Sequence, residues 1–337
     1  MRNILVTGGL GYIGSHTVVA LQQMGFKVNI IDDLSNATED ALYEITEITG
    51  IKPGFFCIDL KDQAEVYRFF EHNKIDGIIH FAAYKAVSES VEKPLMYYRN
   101  NILGLLNILE AMESHNVDHF IFSSSCTVYG QADIMPIYEN TPLKNPESPY
   151  GNTKKIGEEI IKDFIKISNK SAIVLRYFNP VGSHPKGTIG DFQPVPNNLL
   201  PYIVQTAIGI KESLNIFGHN YDTRDGTAIR DYIDVNDLAD AHVKALKRLL
   251  SKSNKKNVEF FNLGSGIGST VLEVVNAFEK ANNIKIKYEI KPRRAGDIEQ
   301  AYADYSLAKT ELNWEPRISL ESSMKTAWKF QQYLSIK

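Results

Sequence analysis

Three glycines, Gly8, Gly11 and Gly14, stand behind a β-branched run, Asn3 to Thr7, and ahead of a helical pattern beginning at Ser15. Residues without a Cβ let the backbone turn sharply and come close to another group. Between a strand and a helix, that turn delivers unpaired N–H groups and the positive helix end to one spot, a ready site for an anion. The chain after such a turn is bound into a βαβ unit, and so into a parallel sheet with helices on both faces. A tight turn with no ligand would use the same residues, so the rest of the chain has to decide between the two readings.

Up to residue 130, apolar β-branched runs alternate with helical patterns. Strands are expected at Asn3–Thr7, Lys27–Asp32, Gly54–Ile58, Gly77–Phe81, His119–Ser124 and Ser171–Tyr177, and helices at Ser15–Met24, Ala37–Thr49, Gln63–Glu71, Pro94–His115 and Pro149–Ile167. This predicts an α/β fold, a Rossmann-type doubly wound parallel sheet. After Asn179 the character changes, with Pro180, Pro185, Pro194, Pro196 and Pro201 breaking the alternation. A smaller C-terminal α/β lobe is expected there, with helices near Leu200–Gly209, Val235–Leu250, Thr270–Asn282 and Ser322–Tyr333. Short strands are expected near Leu214–Ile216, Val258–Leu263 and Lys285–Ile290. The expected division is 1–180 and 181–337, with part of 231–265 returning to pack on the first domain.

Bulk properties narrow the function classes. A chain of 337 residues can bury a large core, and 43% hydrophobic with 23% charged residues is ordinary for a globular enzyme. A net charge of −3 gives no general pull toward nucleic acid or anionic membrane. The basic stretch Lys252–Lys256 reads as a solvated loop. No secretory leader is visible and no apolar run is long enough to span a bilayer, so a cytoplasmic protein is expected. Cys57 and Cys126 are too few for a disulfide framework or a four-cysteine zinc site, and no metal is expected.

Asp32 ends the second strand about 20 residues past the glycine turn, where a carboxylate can accept hydrogen bonds from an adenosine ribose. The residues after it, Asp33 to Asn36, include no lysine or arginine to balance a 2′-phosphate, which favours NAD over NADP. Asp59 and Leu60, after the third strand, could reach the adenine edge or form an exposed loop.

Downstream, Tyr150 and Lys154 are four residues apart on an expected helix and so share a face. An ammonium beside a phenol favours the phenolate, and a shift of about 1–3 units would make Tyr150 a base near neutral pH. Tyr-x-x-x-Lys is common by chance, but here it follows Phe120–Gly130, a strand ending in the hydroxyl cluster Ser123-Ser124-Ser125. That cluster falls at the carboxyl edge of the sheet, where open α/β folds bind ligands. Ser125 can share a substrate hydroxyl with Tyr150.

Together with Arg176-Tyr177-Phe178-Asn179-Pro180, Arg230-Asp231-Tyr232 and His80–Val87, these motifs resemble the extended short-chain dehydrogenase/reductases, most closely the UDP-glucose (UDP-galactose) 4-epimerases. The resemblance runs from Ile4 to about Pro316. It implies NAD contacts from Gly8, Gly11, Tyr12, Ile13, Asp32, Asn36, Asp59, Leu60, Phe81, Ala82, Lys85, Asn100, Ser123, Tyr150, Lys154 and Tyr177, beside Gly14 in the turn. It implies UDP-sugar contacts from Ser125, Tyr150, Asn179, Asn198, Leu199, Phe217, Arg230, Tyr232, Arg294 and Asp297. The catalytic residues are then Ser125, Tyr150 and Lys154. Arg230 and Arg294 could pair with the two phosphates, with neighbouring aspartates orienting the guanidinium planes, although Arg-Asp pairs are also common surface ion pairs.

The implied reaction is reversible 4-epimerisation of a UDP-hexose through a 4-keto intermediate, with tightly bound NAD. The related 4,6-dehydratases carry an Asp-Glu pair after the serine or threonine, where this chain has Cys126 and Thr127. Other nucleotide-sugar epimerases or dehydrogenases, and a non-catalytic NAD-binding regulator, are the alternatives. In this family a site that is either bulky tyrosine or a small residue falls on Ala301, which predicts turnover of UDP-GlcNAc and UDP-GalNAc as well. The resemblance further implies a homodimer. Its contact would be made by the two helices Pro94–His115 and Pro149–Ile167, whose apolar residues Leu105, Leu109, Met112, Ile156, Ile160 and Phe164 exceed the need of one sheet face or are simply core.

Overall fold

The computed structural model describes residues 1–192, 198–294 and 297–337, so Pro194 and Pro196 lie outside the described residues. Its first half comprises β1 (Asn3–Thr7), α1 (Tyr12–Gln23), β2 (Lys27–Asp32), α2 (Asp40–Thr49), β3 (Gly54–Cys57), α3 (Gln63–His72), β4 (Gly77–His80), α4 (Val87–Glu92), α5 (Pro94–Ser114), β5 (His119–Ser125), α6 (Pro149–Lys166) and β6 (Ser171–Tyr177). The remainder comprises β7 (Asn179–Val181), α7 (Leu199–Ala207), β8 (Leu214–Phe217), β9 (Ile229–Asp234), α8 (Val235–Leu250), β10 (Val258–Leu263), β11 (Gly268–Thr270), α9 (Val271–Asn282), β12 (Tyr288–Lys291), β13 (Gln300–Ala301), α10 (Ser306–Leu312) and α11 (Leu320–Ser335).

A seven-stranded parallel sheet in the order β10-β6-β5-β4-β1-β2-β3 forms the frame. Its inner strands are apolar on both faces: Ile4, Val6, Ile30, Ile79, Ile121 and Ile173 pack under α1 and α8, while Leu5, Ile78, Phe120, Phe122 and Val174 pack under α5 and α6. This two-sided burial is why the strands read as continuous apolar runs. Strand order reverses between β1 and β4, which leaves a crevice at their carboxyl ends. The segment α8–β10 belongs to this frame, with β10 paired to β6 from Val258↔Ala172 to Leu263↔Tyr177.

Helix α10 packs Ala308 and Leu312 into the same main core, and the other elements of the second half build a lobe over that edge. Strands β11, β9 and β13 form a sheet that β7 joins through β9, β12 pairs with β8, and α7, α9 and α11 share a separate core around Ile203, Phe278 and Met324. Among the described residues no helix is long and apolar enough to cross a membrane.

Several boundaries differ from expectation, two of them bordering the crevice. Helix α1 starts at Tyr12 because Gly11 itself is the N-cap, and α2 starts at Asp40 because the chain before it is drawn along the crevice. Of the apolar residues expected to be surplus on α5, Leu105, Leu109 and Met112 are buried against the sheet. The outward apolar face is made by Leu103 and Leu106 with half-buried Ile156, Ile160 and Phe164.

Candidate active site

One cleft runs along the carboxyl ends of β1, β2, β4, β5 and β6, and every residue expected to touch NAD lines it. At its centre, Gly8 has φ +69°, and a Cβ there would lie 2.7 Å from the Ala82 nitrogen. A Cβ on Gly14 would lie 2.1 Å from the Gly8 carbonyl oxygen. These two glycines let the turn pack on itself and on the end of β4. A Cβ on Gly11 would lie 3.3 Å from the Gly8 carbonyl oxygen, a tight contact with the same turn. No side chain caps α1 and its first turn holds no acid, so the N–H groups of Tyr12, Ile13 and Gly14 are left for an outside acceptor.

To one side, Asp32 accepts hydrogen bonds from the N–H groups of Leu10 (3.1 Å) and Leu34 (3.0 Å). Burial raises its pKa and these donors oppose the rise. Asp33, also on the cleft wall, accepts from the Ser35 N–H (2.9 Å) and hydroxyl (2.6 Å). Asn36, Asp59, Leu60 and Asn100 line the far end, and Lys61 bridges Asp59 and Asn100 at 2.9 Å each. Phe81 and Ala82 form the middle, where Lys85 lies 3.5 Å from Asp191. The Tyr12 hydroxyl donates to the Gly182 carbonyl at 2.7 Å, tying the turn to the lobe. Free helix N–H groups, a carboxylate at the end of β2 on the cleft wall and a segment Asp33–Ala37 without lysine or arginine fit NAD better than its 2′-phosphorylated form.

The cleft floor is β5 against α6. Ser148 caps α6 by accepting from the Gly151 N–H at 3.2 Å, with Pro149 at the first helical position. Tyr150, Lys154 and Glu158 follow on one face at successive turns. The Ser125 hydroxyl contacts the Tyr150 phenol, and Lys154 Nζ donates to the Ser123 carbonyl at 2.7 Å, with the Phe122 ring 4.9 Å below. The Ser123 hydroxyl is hydrogen-bonded to the Tyr177 phenol. Behind them Glu158 accepts from Ser124 (2.6 Å) and from two nitrogens of buried Arg176 (2.9 and 2.6 Å).

The expected acidic shift of Tyr150 is not found in this arrangement. Burial pushes its phenol up to about 12, with the Ser125 hydrogen bond pulling the other way. Burial also brings Lys154 down to about 7, opposed by Glu158. The cation is turned toward the Ser123 carbonyl, and loss of hydration outweighs its help to the phenolate.

The expected sugar-nucleotide residues divide. Ser125, Tyr150, Asn179 and Asn198 line the cleft, whereas Leu199, Phe217, Arg230, Tyr232, Arg294, Asp297 and Ala301 do not. Arg230, Arg294 and Asp297 form a second cluster at the lobe. Asp297 is 2.5 Å from Arg230 and 3.5 Å from Arg294, and Arg294 lies 4.8 Å from the Phe217 ring. Tyr232 senses the same three charges. Asp231, the sequence neighbour of Arg230, does not orient it. Its buried carboxylate accepts from Ser265, Gly266 and Ala303 instead. Leu199 begins α7 behind Asn198. Ala301 pairs with Arg230 in the sheet register and is buried beside Tyr129 and Phe178, with Cys126 packed on the same cluster.

Tyr84, Cys126, Thr127, Phe178 and Pro180 line the cleft with no role expected of them. Each sits inside a motif already noted, which is the signal that could have found them. Glu158 could have been found as the next turn after Lys154. Both cysteines are free, and among the described residues no group of His, Cys, Asp or Glu could hold a metal.

Three comparisons agree with this geometry. The sequence profile of the family described as GDP-mannose 4,6 dehydratase matches residues 5–327. The chain is 48% identical to the UDP-glucose 4-epimerase of Haemophilus influenzae, over 98% of this chain and 97% of that one. Its fold superposes with TM-score 0.96 and 41% identity on a UDP-glucose-4-epimerase from Stenotrophomonas maltophila with bound NAD and formylated UDP-arabinopyranose, covering 100% of this chain and 99% of that one. It also superposes with TM-score 0.95 and 42% identity on the enzyme from Bifidobacterium longum in complex with NAD+ and UDP, covering 98% of each chain.

Proposed function

The chain belongs to the family described as GDP-mannose 4,6 dehydratase and within it to the UDP-glucose 4-epimerases, and from that premise we propose how its own residues interconvert UDP-glucose and UDP-galactose. The enzyme is an NAD-dependent 4-epimerase of UDP-hexoses working through a 4-keto intermediate. Cys126 and Thr127 stand where a dehydratase would carry its acid and base, so elimination of water has no agent here.

Bound NAD supplies the hydride acceptor and donor and a positively charged ring. The α1 amino end, Asp32 and Lys85 hold it in the cleft. Tyr150 takes the proton of the sugar 4-hydroxyl and later returns it, and Ser125 fixes that hydroxyl against the phenol. Since burial holds the Tyr150 proton on, its release draws on positive charge in the cleft, part of it from Lys154. Arg230 and Arg294 grip the diphosphate, and Asn179, Asn198, Leu199, Phe217, Tyr232 and Asp297 complete the nucleotide site. Strong hold on the nucleotide with little on the hexose lets the ring present either face. The functional division is 1–180 for NAD and 181–337 for UDP-sugar, with α8–β10 returned to the first.

Ala301 stands behind the cleft wall, packed with Cys126 and Phe178, and its small size leaves that wall room to admit a C2 acetamido group, so UDP-GlcNAc and UDP-GalNAc are substrates too. Two copies pair through α5 and α6, a reading supported by the outward Leu103, Leu106, Ile160 and Phe164. Light scattering should return twice the chain mass at micromolar concentration. Two unpaired thiols support a reducing, cytoplasmic setting.

The observation that carries the reading is the convergence of Ser125, Tyr150 and Lys154 with the glycine turn in one cleft. Purified protein should convert UDP-galactose to UDP-glucose with no NAD added. Failure to convert, or release of a dehydrated product, would contradict it.

A further inference from the structure

Tyr221 lies in the loop before β9, 5% exposed, and its buried hydroxyl has no hydrogen-bond partner among the described residues. Buried hydroxyls in folded proteins almost always find a partner, and one left unmet is a cost the fold bears. The side chain cannot simply swing to water. A Cβ at Gly218, whose φ is +82°, would lie 2.4 Å from Tyr221 Cε2, so the ring rests against that backbone. Arg293 covers the ring with its guanidinium carbon 3.8 Å from the centroid, and Arg293 is itself held by Asn220 at 2.8 Å. The Tyr221 N–H donates to the Gly226 carbonyl (3.0 Å), and its own carbonyl accepts from Thr223 (2.9 Å).

The phenol is raised by burial and by Asp297, and lowered by Arg293, Arg230 and Arg294. Three of those four charges, Arg230, Asp297 and Arg294, also act on Tyr232. The orphan hydroxyl therefore stands among cations that outnumber the carboxylate shared between Arg230 and Arg294. Such a place suits an anionic oxygen, which accepts a hydrogen bond from an O–H more strongly than a neutral one does.

We infer that the Tyr221 hydroxyl is a further binding group of the sugar-nucleotide site, donating its hydrogen bond to a phosphate oxygen of the UDP moiety beside Arg230 and Arg294. This rests on the reading of the lobe as a UDP-sugar site. It separates Tyr221 from a buried structural tyrosine such as Tyr129, whose hydroxyl already has partners inside the protein.

The experiment is titration calorimetry of the NAD-loaded wild type and Tyr221→Phe with UDP and with uridine, together with thermal melts of each protein without nucleotide. Removing an unmet hydroxyl should leave the melting temperature unchanged or raised, while the UDP dissociation constant rises about tenfold or more and that for uridine stays the same. An unchanged UDP constant would overturn the inference. So would a lower melting temperature with UDP affinity intact, which would make the hydroxyl structural, or an equal loss for uridine, which would place it on the nucleoside. Wild type that binds no UDP would overturn the parent reading itself, and only the wild-type titration reads that.

Discussion

Arg176 and Arg230 are both arginines tied to a carboxylate, but their surroundings differ. Arg176 is buried and meets Glu158 through two short contacts (2.9 and 2.6 Å), with Ser124 on the carboxylate and Tyr129 and the Glu139 carbonyl on the guanidinium. One cation and one anion balance. Arg230 shares Asp297 with Arg294, whose side chain is 60% exposed, so that two cations divide one anion. A balanced buried pair fixes the position of α6 against β5 and β6. Surplus positive charge in the open cluster at the lobe suits an anion from outside.

Acid should strain the first region most. Burial holds His16 and His80 at about 3 and His242 at about 4, all three within the main sheet and its helices. Their unfolded value is near 6.5, so between pH 6.5 and about 4 the unfolded chain binds protons that the folded chain refuses. Stability present above pH 6.5 is therefore lost as pH falls, by up to about 1.4 kcal/mol per unit for each histidine. Thermal melts from pH 7 to 4.5 should fall steeply, and a flat profile would break this account of the frame.

Next in size, Glu158→Ala strands Arg176 in the interior and should cost about 3–5 kcal/mol in chemical denaturation. Asp297→Ala, at the open cluster, should shift the same curve far less. Equal losses would erase the contrast between the two regions. Arg230→Ala should raise KM for UDP-galactose about 10–100-fold in steady-state assays, the worth of one or two charge-assisted hydrogen bonds, while the melting point moves little. A large fall in melting point with unchanged KM would make Arg230 part of the frame.

Ala301→Tyr tests the smallest difference. It should lower kcat/KM for UDP-GlcNAc about tenfold relative to UDP-glucose. Equal change for both pairs would remove Ala301 from the specificity of the site.

The same contrast explains what could be read in the sequence. The frame was legible because β1, β2, β4, β5 and β6 carry their signal locally, in apolar runs cut by Gly8, Asp32 and the serines of β5. Strands β7, β9, β11 and β13 were not, since Asn179-Pro180-Val181, Ile229–Asp234 and Gln300-Ala301 are short or rich in polar residues and gain order from pairing around β9. Within the site, Gly8, Asp32, Phe81 and Ser125 stand at or just after strand ends and line one cleft, and α6 brings Tyr150 and Lys154 to it. Partner choice was not readable: adjacency suggested Asp231 for Arg230, and only the return of the chain at Asp297 decided it. The Tyr150 pKa was hidden for a similar reason, since burial is set by the whole cleft and not by the spacing to Lys154.

The central claim is that Tyr150 carries the proton while NAD stays in place. Tyr150→Phe, assayed with UDP-galactose and analysed for retained nucleotide, tests it most directly. Turnover should fall about a thousandfold with NAD content unchanged. Wild-type turnover in that variant, with nucleotide still bound, would contradict the claim.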